Sequence, residues 1–521
     1  MAASSSSYYD GSKIFTWVAE YTGISVDQVN FVISQFVALA LASLFRTVLH
    51  PSKTNSGTRH GFGLIFGLII GYFCFGMQAI HLAGLPALCY IVIRTQSPQI
   101  MQRMVLAVAL IYLSCIHLHR QMYDYGSYTL DITGPLMVIT QKVTSLAFSI
   151  HDGFARNDSE LTKSQRFYAV YRLPSPLEYF SYALAFPALM AGPVLFYKDY
   201  IDFIDGNNLI QKPASKNLDN NSNSRTVVLE PSPCIVVYKK VALSCLCAFM
   251  FVKFLPMFTI ERVKEDDFVE NTLITYKFWY IGVATLLVRF KYYFAWILAD
   301  AICNNAGIGF NGYNSNGSPK WDRFSNIKIL RFEFGTSMRE SIEAWNIGTN
   351  RWLRMLVYER VNKYSTILTY ALSAVWHGFY PGYYLTFASG ALFTFAARTM
   401  RRTIRDYFTY SSKVKFMYDV VTCIITRLVM AYITFTFVLL EFWPSIRLYL
   451  HMYLCLHILA LLALILVPHL VPKRSIPRNI NPQTTVNGSV TNSHHLTSNG
   501  SIMHALKQAT PITNSVSNHH D

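Results

Sequence analysis

The chain has 521 residues, of which 52% are hydrophobic, 15% aromatic and only 14% charged. A water-soluble protein carries about 25% charged residues, so this composition excludes a soluble globular domain and indicates an all-α, polytopic integral membrane protein. The net charge of +16 is scattered between apolar runs, which argues against a nucleic-acid partner and fits basic flanks on a cytoplasmic leaflet.

The first residues, "MAASSSSYYDGSKIFTWVAEYTG", lack a basic stretch followed by an apolar core. They predict no cleaved signal peptide, and a first span that serves as the targeting signal. Residues 1–29 are a short N-terminal segment and residues 30–472 a multi-span domain. A spanning helix needs about 20 mostly apolar residues. Such runs fall near 30–49, 60–80, 104–119, 176–197, 234–258, 272–303, 364–377, 382–397, 418–441 and 447–471. With two weaker stretches, the expectation is about 8–12 transmembrane helices.

The weaker stretches differ in kind. "LPALCYIVI" (85–93) is too short to span and reads as re-entrant or interfacial. "GPLMVITQKVTSLAFSI" (134–150) carries Gln141 and Lys142 in its middle, which suits a helix lining a wet interior or an internal hydrogen-bond network. No internal repeat is visible, so an inverted-repeat transporter gains no support. Residues 206–233 form a long polar loop, and "ARTMRRTIR" (397–405) marks a cytoplasmic helix end. The tail, 473–521, is rich in Ser, Thr, Asn and His and is expected to be disordered. Its sequons at Asn487 and Asn499 are common in such composition. Nine cysteines show no metal-ligand spacing, and the pair Cys245 and Cys247 lies inside an apolar run. No metal site and no disulfide framework are predicted.

Charged or strongly polar groups inside apolar segments cost at least about 2.5 kcal/mol on insertion scales and flag function by default. One crowd, His117, His119, Arg120 and Asp124, sits at a span end in "CIHLHRQMYDYGSYTLDITGP" (115–135). Interfacial snorkelling or a substrate role would explain it. A second segment, "RFEFGTSMRESIEAWNIGTNRWLRMLVYERVNKY" (331–364), is too charged to face lipid alone. It reads as an amphipathic element lying in the interface or lining a cavity. His377, in "ALSAVWHGFYPGYYLTF" (371–387), closes an apolar run.

Counting connects the last two. Asn346 lies about 15 residues before a turn near 361–363, and His377 about 15 after it. Antiparallel helical arms of that length run about 22 Å, which returns Asn346 and His377 to one end of a hairpin. If the first arm lay flat in the interface, other elements would have to bring them together. Pro381 disfavours continuing the second arm without a break, and Gly378 and Gly382 leave room for a substrate chain. From spacing alone the alternatives stay open: a membrane enzyme, a transporter, or a histidine that is only structural.

"EAWNIGTNRWLRMLVYERV" followed by "LTYALSAVWHGFYPGYYLTFASGALFTFAARTMRR" resembles the membrane-bound O-acyltransferase family. That family carries an Asn in a tryptophan-rich segment and, about thirty residues on, a His after apolar residues. Here these are Asn346 and His377. "DITGPLMVITQK" (131–142) and "LMAGPVLFYKDYIDF" (189–203) resemble two further family segments, and the likeness runs from about residue 30 to 472. The wording is most similar to the lysophospholipid acyltransferase branch that uses lysophosphatidylethanolamine and lysophosphatidylserine. Where the sterol and diacylglycerol acyltransferases carry "FYxDWWN", this chain has "RESIEAWN".

The resemblance implies a helical fold around a catalytic chamber, in a multi-pass protein of the endoplasmic reticulum membrane. It implies acyl transfer from acyl-CoA to the hydroxyl of a lysophospholipid, with phosphatidylcholine's lyso form a further candidate acceptor, and no cofactor beyond acyl-CoA as co-substrate. His377 would be the base, and Asn346 would donate to the thioester oxygen or orient substrate. Arg339, Arg351 and Arg354, with Lys328 and Arg331 beside them, would meet the CoA phosphates. Trp345 and Trp376 would line the acyl channel or simply pack. No cysteine falls in either motif, which favours direct transfer. The rival readings are a protein O-acyltransferase of the same family and a proton-coupled transporter in which His377 relays protons.

Overall fold

The computed structural model describes residues 9–127, 129–211, 226–227 and 231–471. The expected disordered tail, its two sequons and most of the long polar loop lie outside the described residues. The chain begins with α1 (Thr16–Thr22), α2 (Val26–Thr47), α3 (Ser56–Phe75), α4 (Ile80–Thr95), α5 (Met101–Tyr123) and α6 (Thr133–Ala155). Three short helices follow: α7 (Lys163–Tyr168), α8 (Pro176–Leu184) and α9 (Tyr197–Ile204). Next come α10 (Cys234–Phe254), α11 (Asp266–Asn271) and the long α12 (Ile274–Ala306). The segment expected to be amphipathic folds as α13 (Ile329–Glu333), α14 (Met338–Ala344) and α15 (Ile347–Leu353), the last running into a π-helical turn, Arg354–Tyr358. The chain continues through α16 (Ser365–His377), α17 (Pro381–Ile404), α18 (Ser412–Leu439), α19 (Phe442–His451) and α20 (Cys455–Leu470). The one sheet among the described residues is a two-residue antiparallel pair, Ile210 opposite Val227 and Gln211 opposite Thr226.

Among the described residues, six helical stretches are long and apolar enough to cross a membrane: α2, Ser56–Thr95, α5, Cys234–Lys264, α12 and α18. The pair α19–α20 passes the same test only when taken together and is bent by 74°, the geometry of a broken span or a re-entrant loop, so the count is six, or seven if the pair is one span. The protein is a polytopic, essentially all-α membrane protein, as its composition indicates. The difference from the expected 8–12 has a physical cause: apolar runs also arise where helices are sheathed in protein. The run at 176–197 is not a span. It breaks into α8, a 3₁₀ turn Phe186–Ala188 and an extended stretch before α9, because Pro187 and Pro193 interrupt the helical ladder. Its side chains are core, with Tyr179, Tyr182, Leu184, Phe186 and Leu195 all buried. Likewise α16 has 13 residues, about 20 Å, which is short of a hydrocarbon core of about 30 Å. Residues 85–93 fall within α4, which is joined to α3 by the turn Gly76–Ala79. Gly76 has φ +54°, and a Cβ there would fall 1.9 Å from the Asp10 carbonyl oxygen, so only glycine fits.

The centre of the bundle is α6, buried at every position from Ile139 to Ile150. Its polar residues do structural work. Lys142 donates to the carbonyls of Tyr182 and Ala183 at 3.3 and 3.2 Å, which satisfies acceptors at the C-terminal end of α8. A second interior tie is His457, whose Nδ1 and Nε2 lie 2.9 Å from Tyr432 Oη and 3.0 Å from Ser389 Oγ, linking α17, α18 and α20.

Candidate active site

One stripe of α6 holds both arms of the hairpin. The Trp376 indole donates to the Met137 carbonyl (3.0 Å), Gln141 donates to Thr349 Oγ1 (2.8 Å), and the Trp352 indole donates to Thr144 Oγ1 (2.9 Å). At the far end Arg360 donates to both oxygens of Asp152, at 2.7 and 2.6 Å. Positions 137, 141, 144 and 152 share one face of a helix, and the rise between the first and last is about 22 Å. The arms therefore lie along α6, with the turn clamped at Asp152 and the open end at Met137. Asn346 precedes Thr349 by about one helical turn, which sets it level with Met137 and Val138. Trp376 docks at that same level, with His377 next to it. The antiparallel hairpin counted from the sequence is formed. Its first arm lines the interior and does not lie in the membrane interface: Trp352, Leu353, Met355 and Leu356 are all buried.

His377 closes α16, and its Nδ1 lies 2.7 Å from the Ser373 carbonyl oxygen. A carbonyl only accepts, so Nδ1 carries the hydrogen and Nε2 presents a lone pair. No described protein group occupies that lone pair. The ring is half-buried, with Trp376, Phe387, Phe437 and Tyr383 around it at centroid distances of 4.5, 5.0, 5.3 and 5.9 Å. Gly378 then turns the chain at φ +114°, and a Cβ there would press on the His117 ring at 3.1 Å. His117 itself donates from Nε2 to the Trp376 carbonyl at 3.2 Å. It is an anchor for the end of α16. Pro381 starts α17 at its first turn, where the missing N–H costs nothing.

Asn346 sits in the left-handed region, φ +44°, at the head of α15, a conformation that Asn tolerates better than most residues. Its carboxamide orientation follows from its neighbour. Asn326 Oδ1 accepts the Gly348 N–H at 2.9 Å, so the other end of the Asn326 amide must be its NH2. That NH2 donates to Asn346 Oδ1 at 3.1 Å, which leaves the Asn346 NH2 as an uncommitted donor. The Asn326 carbonyl also accepts the Ile347 N–H at 2.9 Å. Asn326 had no marker in the sequence, being one polar residue in a polar loop.

The remaining expected site residues separate. Trp376 is buried and hydrogen-bonded, so it holds the hairpin and does not line an open channel. Trp345 is half-buried in an aromatic wall with Trp296 and Phe332, both at 4.9 Å, and Tyr292 at 5.9 Å. Arg339, 73% exposed, pairs with Glu343 at 2.8 Å, and Arg354, 59% exposed, pairs with Glu359 at 3.0 Å. Arg331 pairs with Glu340 at 3.3 Å, while the Lys328 side chain is exposed. Arg351 differs: it is half-buried, lies 5.8 Å over the Phe196 ring, and has no carboxylate partner among the described residues.

Among the described residues, an imidazole with an uncommitted lone pair lies level with a carboxamide with an uncommitted donor inside a polytopic helical bundle, an arrangement chemically able to accept a proton and donate a hydrogen bond. Residues 119–442, which include both groups, match the family model described as MBOAT, membrane-bound O-acyltransferase family, and the chain belongs to that family. It is similar to lysophospholipid acyltransferase 6 of Drosophila melanogaster, with 59% identity over 485 residues, 92% of this chain and 67% of that protein. It is also similar to membrane-bound glycerophospholipid O-acyltransferase 2 of Homo sapiens, with 42% identity over 460 residues, 88% of each chain. The lysophospholipid acyltransferase of Schizosaccharomyces pombe is 34% identical over 356 residues, 66% of this chain and 67% of that one. The protein is thus a multi-pass O-acyltransferase.

Proposed function

We propose that this enzyme is a lysophospholipid acyltransferase, moving an acyl chain from acyl-CoA to the free hydroxyl of a lysophospholipid in the endoplasmic reticulum membrane. The names of its relatives support the lipid acceptor. The observation that carries the chemistry is the pairing of a tautomer fixed by Ser373 with a carboxamide fixed by Asn326. His377 Nε2 takes the hydroxyl proton as the oxygen attacks the thioester carbonyl, a contribution of typically 10²–10⁴-fold. The Asn346 NH2 donates to the oxyanion that forms, worth about 3–4 kcal/mol. Collapse of the tetrahedral intermediate breaks the carbon–sulfur bond, and the imidazolium returns its proton to the leaving thiolate. Both substrates meet at one site, so no acyl-enzyme is required. Arg351, with no competing carboxylate, is the cation best placed among the three arginines to meet a phosphate or carbonyl of the CoA arm.

The test is the purified chain in detergent, given acyl-CoA and a panel of lysophospholipids, with free CoA thiol measured. Thiol release that depends on the acceptor, with diacyl product, is expected. Absence of release across the panel would favour the transporter reading. A labelled protein band after co-expression with lumenal peptides would favour the protein acyltransferase.

A further inference from the structure

Asp300 is a buried acid inside the apolar helix α12, outside the acyl-transfer centre. A charge in such a helix is costly and flags function by default. Its counterion comes from α10, where Lys240 Nζ lies 2.6 Å from Asp300 Oδ2. The same ammonium donates to the Trp321 carbonyl at 3.1 Å. Asn304, one turn on from Asp300, reaches that carbonyl through its NH2 at 3.2 Å. Asp300 Oδ2 has a second donor, the Ser325 hydroxyl at 2.7 Å. Two long apolar helices thus hold the loop 321–325, by a backbone carbonyl at one end and a hydroxyl at the other.

The next residue is Asn326. Residues 325–328 form no helix or strand, so contacts from outside set their course. Ser325 is turned to α12, and Asn326 is turned to the head of α15. There its Oδ1 accepts the Gly348 N–H at 2.9 Å, its carbonyl accepts the Ile347 N–H at 2.9 Å, and its NH2 donates to Asn346 Oδ1 at 3.1 Å. A Cβ at Gly348 would meet Asn326 Oδ1 at 3.2 Å, so the amide sits tight against the start of α15. Close-packed neighbours transmit a displacement and do not absorb it. Among the described residues, the bond from Asn326 is the one side-chain hydrogen bond that the Asn346 carboxamide makes.

We infer that Asp300 and Ser325 are positioning residues for acyl transfer. The buried carboxylate fixes the Ser325 hydroxyl, the peptide link carries that constraint to Asn326, and Asn326 aims the Asn346 NH2. This rests on the oxyanion role proposed for Asn346 and adds to it the residues that hold the donor in line. Such a donor works only when held to within about 0.5 Å and 10–20° of the productive geometry. Lys240 brings α10 into the arrangement by supplying the charge that a buried carboxylate requires.

The experiment uses the full-length enzyme in detergent, with acyl-CoA, a lysophospholipid acceptor and free CoA thiol as the readout. Asp300→Ala would strand Lys240 and endanger folding, so the first variant is Ser325→Ala, which removes one half-buried hydroxyl. It should lower kcat by up to roughly tenfold, the lower end for a supporting partner, with KM for both substrates near wild type. Ser325→Thr keeps the hydroxyl and should recover most of the rate. In an Asn326→Ala background, Ser325→Ala should change kcat by less than about twofold, because the residue through which it acts is gone. Asp300→Asn should lower kcat when introduced alone and add nothing to Ser325→Ala. A loss of the same size in both Asn326 backgrounds marks a general structural effect and overturns the inference. So does a Ser325→Ala enzyme with wild-type kcat, or a further loss when Asp300→Asn joins Ser325→Ala. Asn346→Ala at the wild-type rate would overturn the oxyanion reading and this inference together. A slow Asn346→Ala beside an unimpaired Ser325→Ala overturns this inference alone.

Discussion

His377 gives its Nδ1–H to the Ser373 carbonyl 2.7 Å away, one turn back on its own helix. The backbone thereby chooses the tautomer, with no carboxylate partner for the ring among the described residues. Replacing His377 with Ala should remove transfer, a loss of roughly 10²–10⁴-fold or more in kcat, with expression and membrane insertion near wild type. Thiol release by purified protein measures it. Turnover at the wild-type rate would remove the base.

Asn346→Ala should lower kcat by roughly 10²–10³-fold if its NH2 meets the developing oxyanion, with a smaller change in KM. Asn346→Asp offers an acceptor where a donor is needed and should be no better. A variant with unchanged kcat and a raised KM would recast Asn346 as a binding group.

Asn326 acts through Asn346, so Asn326→Ala should lower kcat while leaving KM for both substrates close to wild type. The expected loss is roughly tenfold, the lower end for a supporting partner. Asn326→Gln, which keeps the chemistry but lengthens the arm, should not restore it. If Asn326→Ala lowers the melting temperature and leaves kcat untouched, its role is structural only.

How much of this was readable beforehand depends on which interaction set each residue. The hairpin was legible because helix rise is fixed, so counting from Asn346 to the turn and back to His377 returned both to one end. The run at 176–197 misled because Leu, Phe and Tyr are equally apolar whether lipid or protein covers them. Only Pro187 and Pro193 hinted at the break. The arginines 339, 351 and 354 looked alike in sequence, since pairing with Glu343 or Glu359 is a matter of which face each occupies. Asn326 acts through a contact 20 residues away, and one chain read alone carries no trace of such a partner.

The Arg351 assignment is separable from its neighbours. Arg351→Ala should raise KM for acyl-CoA several-fold to roughly tenfold, with little change for the lipid acceptor, if a charge-assisted contact is lost. Arg339→Ala and Arg354→Ala should move it far less, because exposed pairs contribute about 0–1 kcal/mol and their charges are already matched. Equal effects from all three would mean a diffuse electrostatic attraction and no specific contact.

The clamp at the other end of the hairpin tests how the site is held. Arg360 is 13% exposed and Asp152 fully buried, and Asp152 also takes Arg156 at 3.2 Å. Removing one member of a buried pair costs about 3–5 kcal/mol when the other is left with no partner, and the cost at Asp152 is lower because Arg156 still faces it. Arg360→Ala should therefore lower the melting temperature in detergent and reduce kcat, since the arm carrying Asn346 loses its fixed end. Asp152→Asn with Arg360→Gln removes both charges of the pair and should recover part of the stability, because the one cation left short of a partner, Arg156, is partly exposed and still lies 4.0 Å from Glu160. Recovery of stability without recovery of kcat would locate the pair's contribution in how the arm carrying Asn346 is positioned. Failure of the double variant to regain either would mean that the two ionic bonds are not interchangeable with neutral ones at this turn.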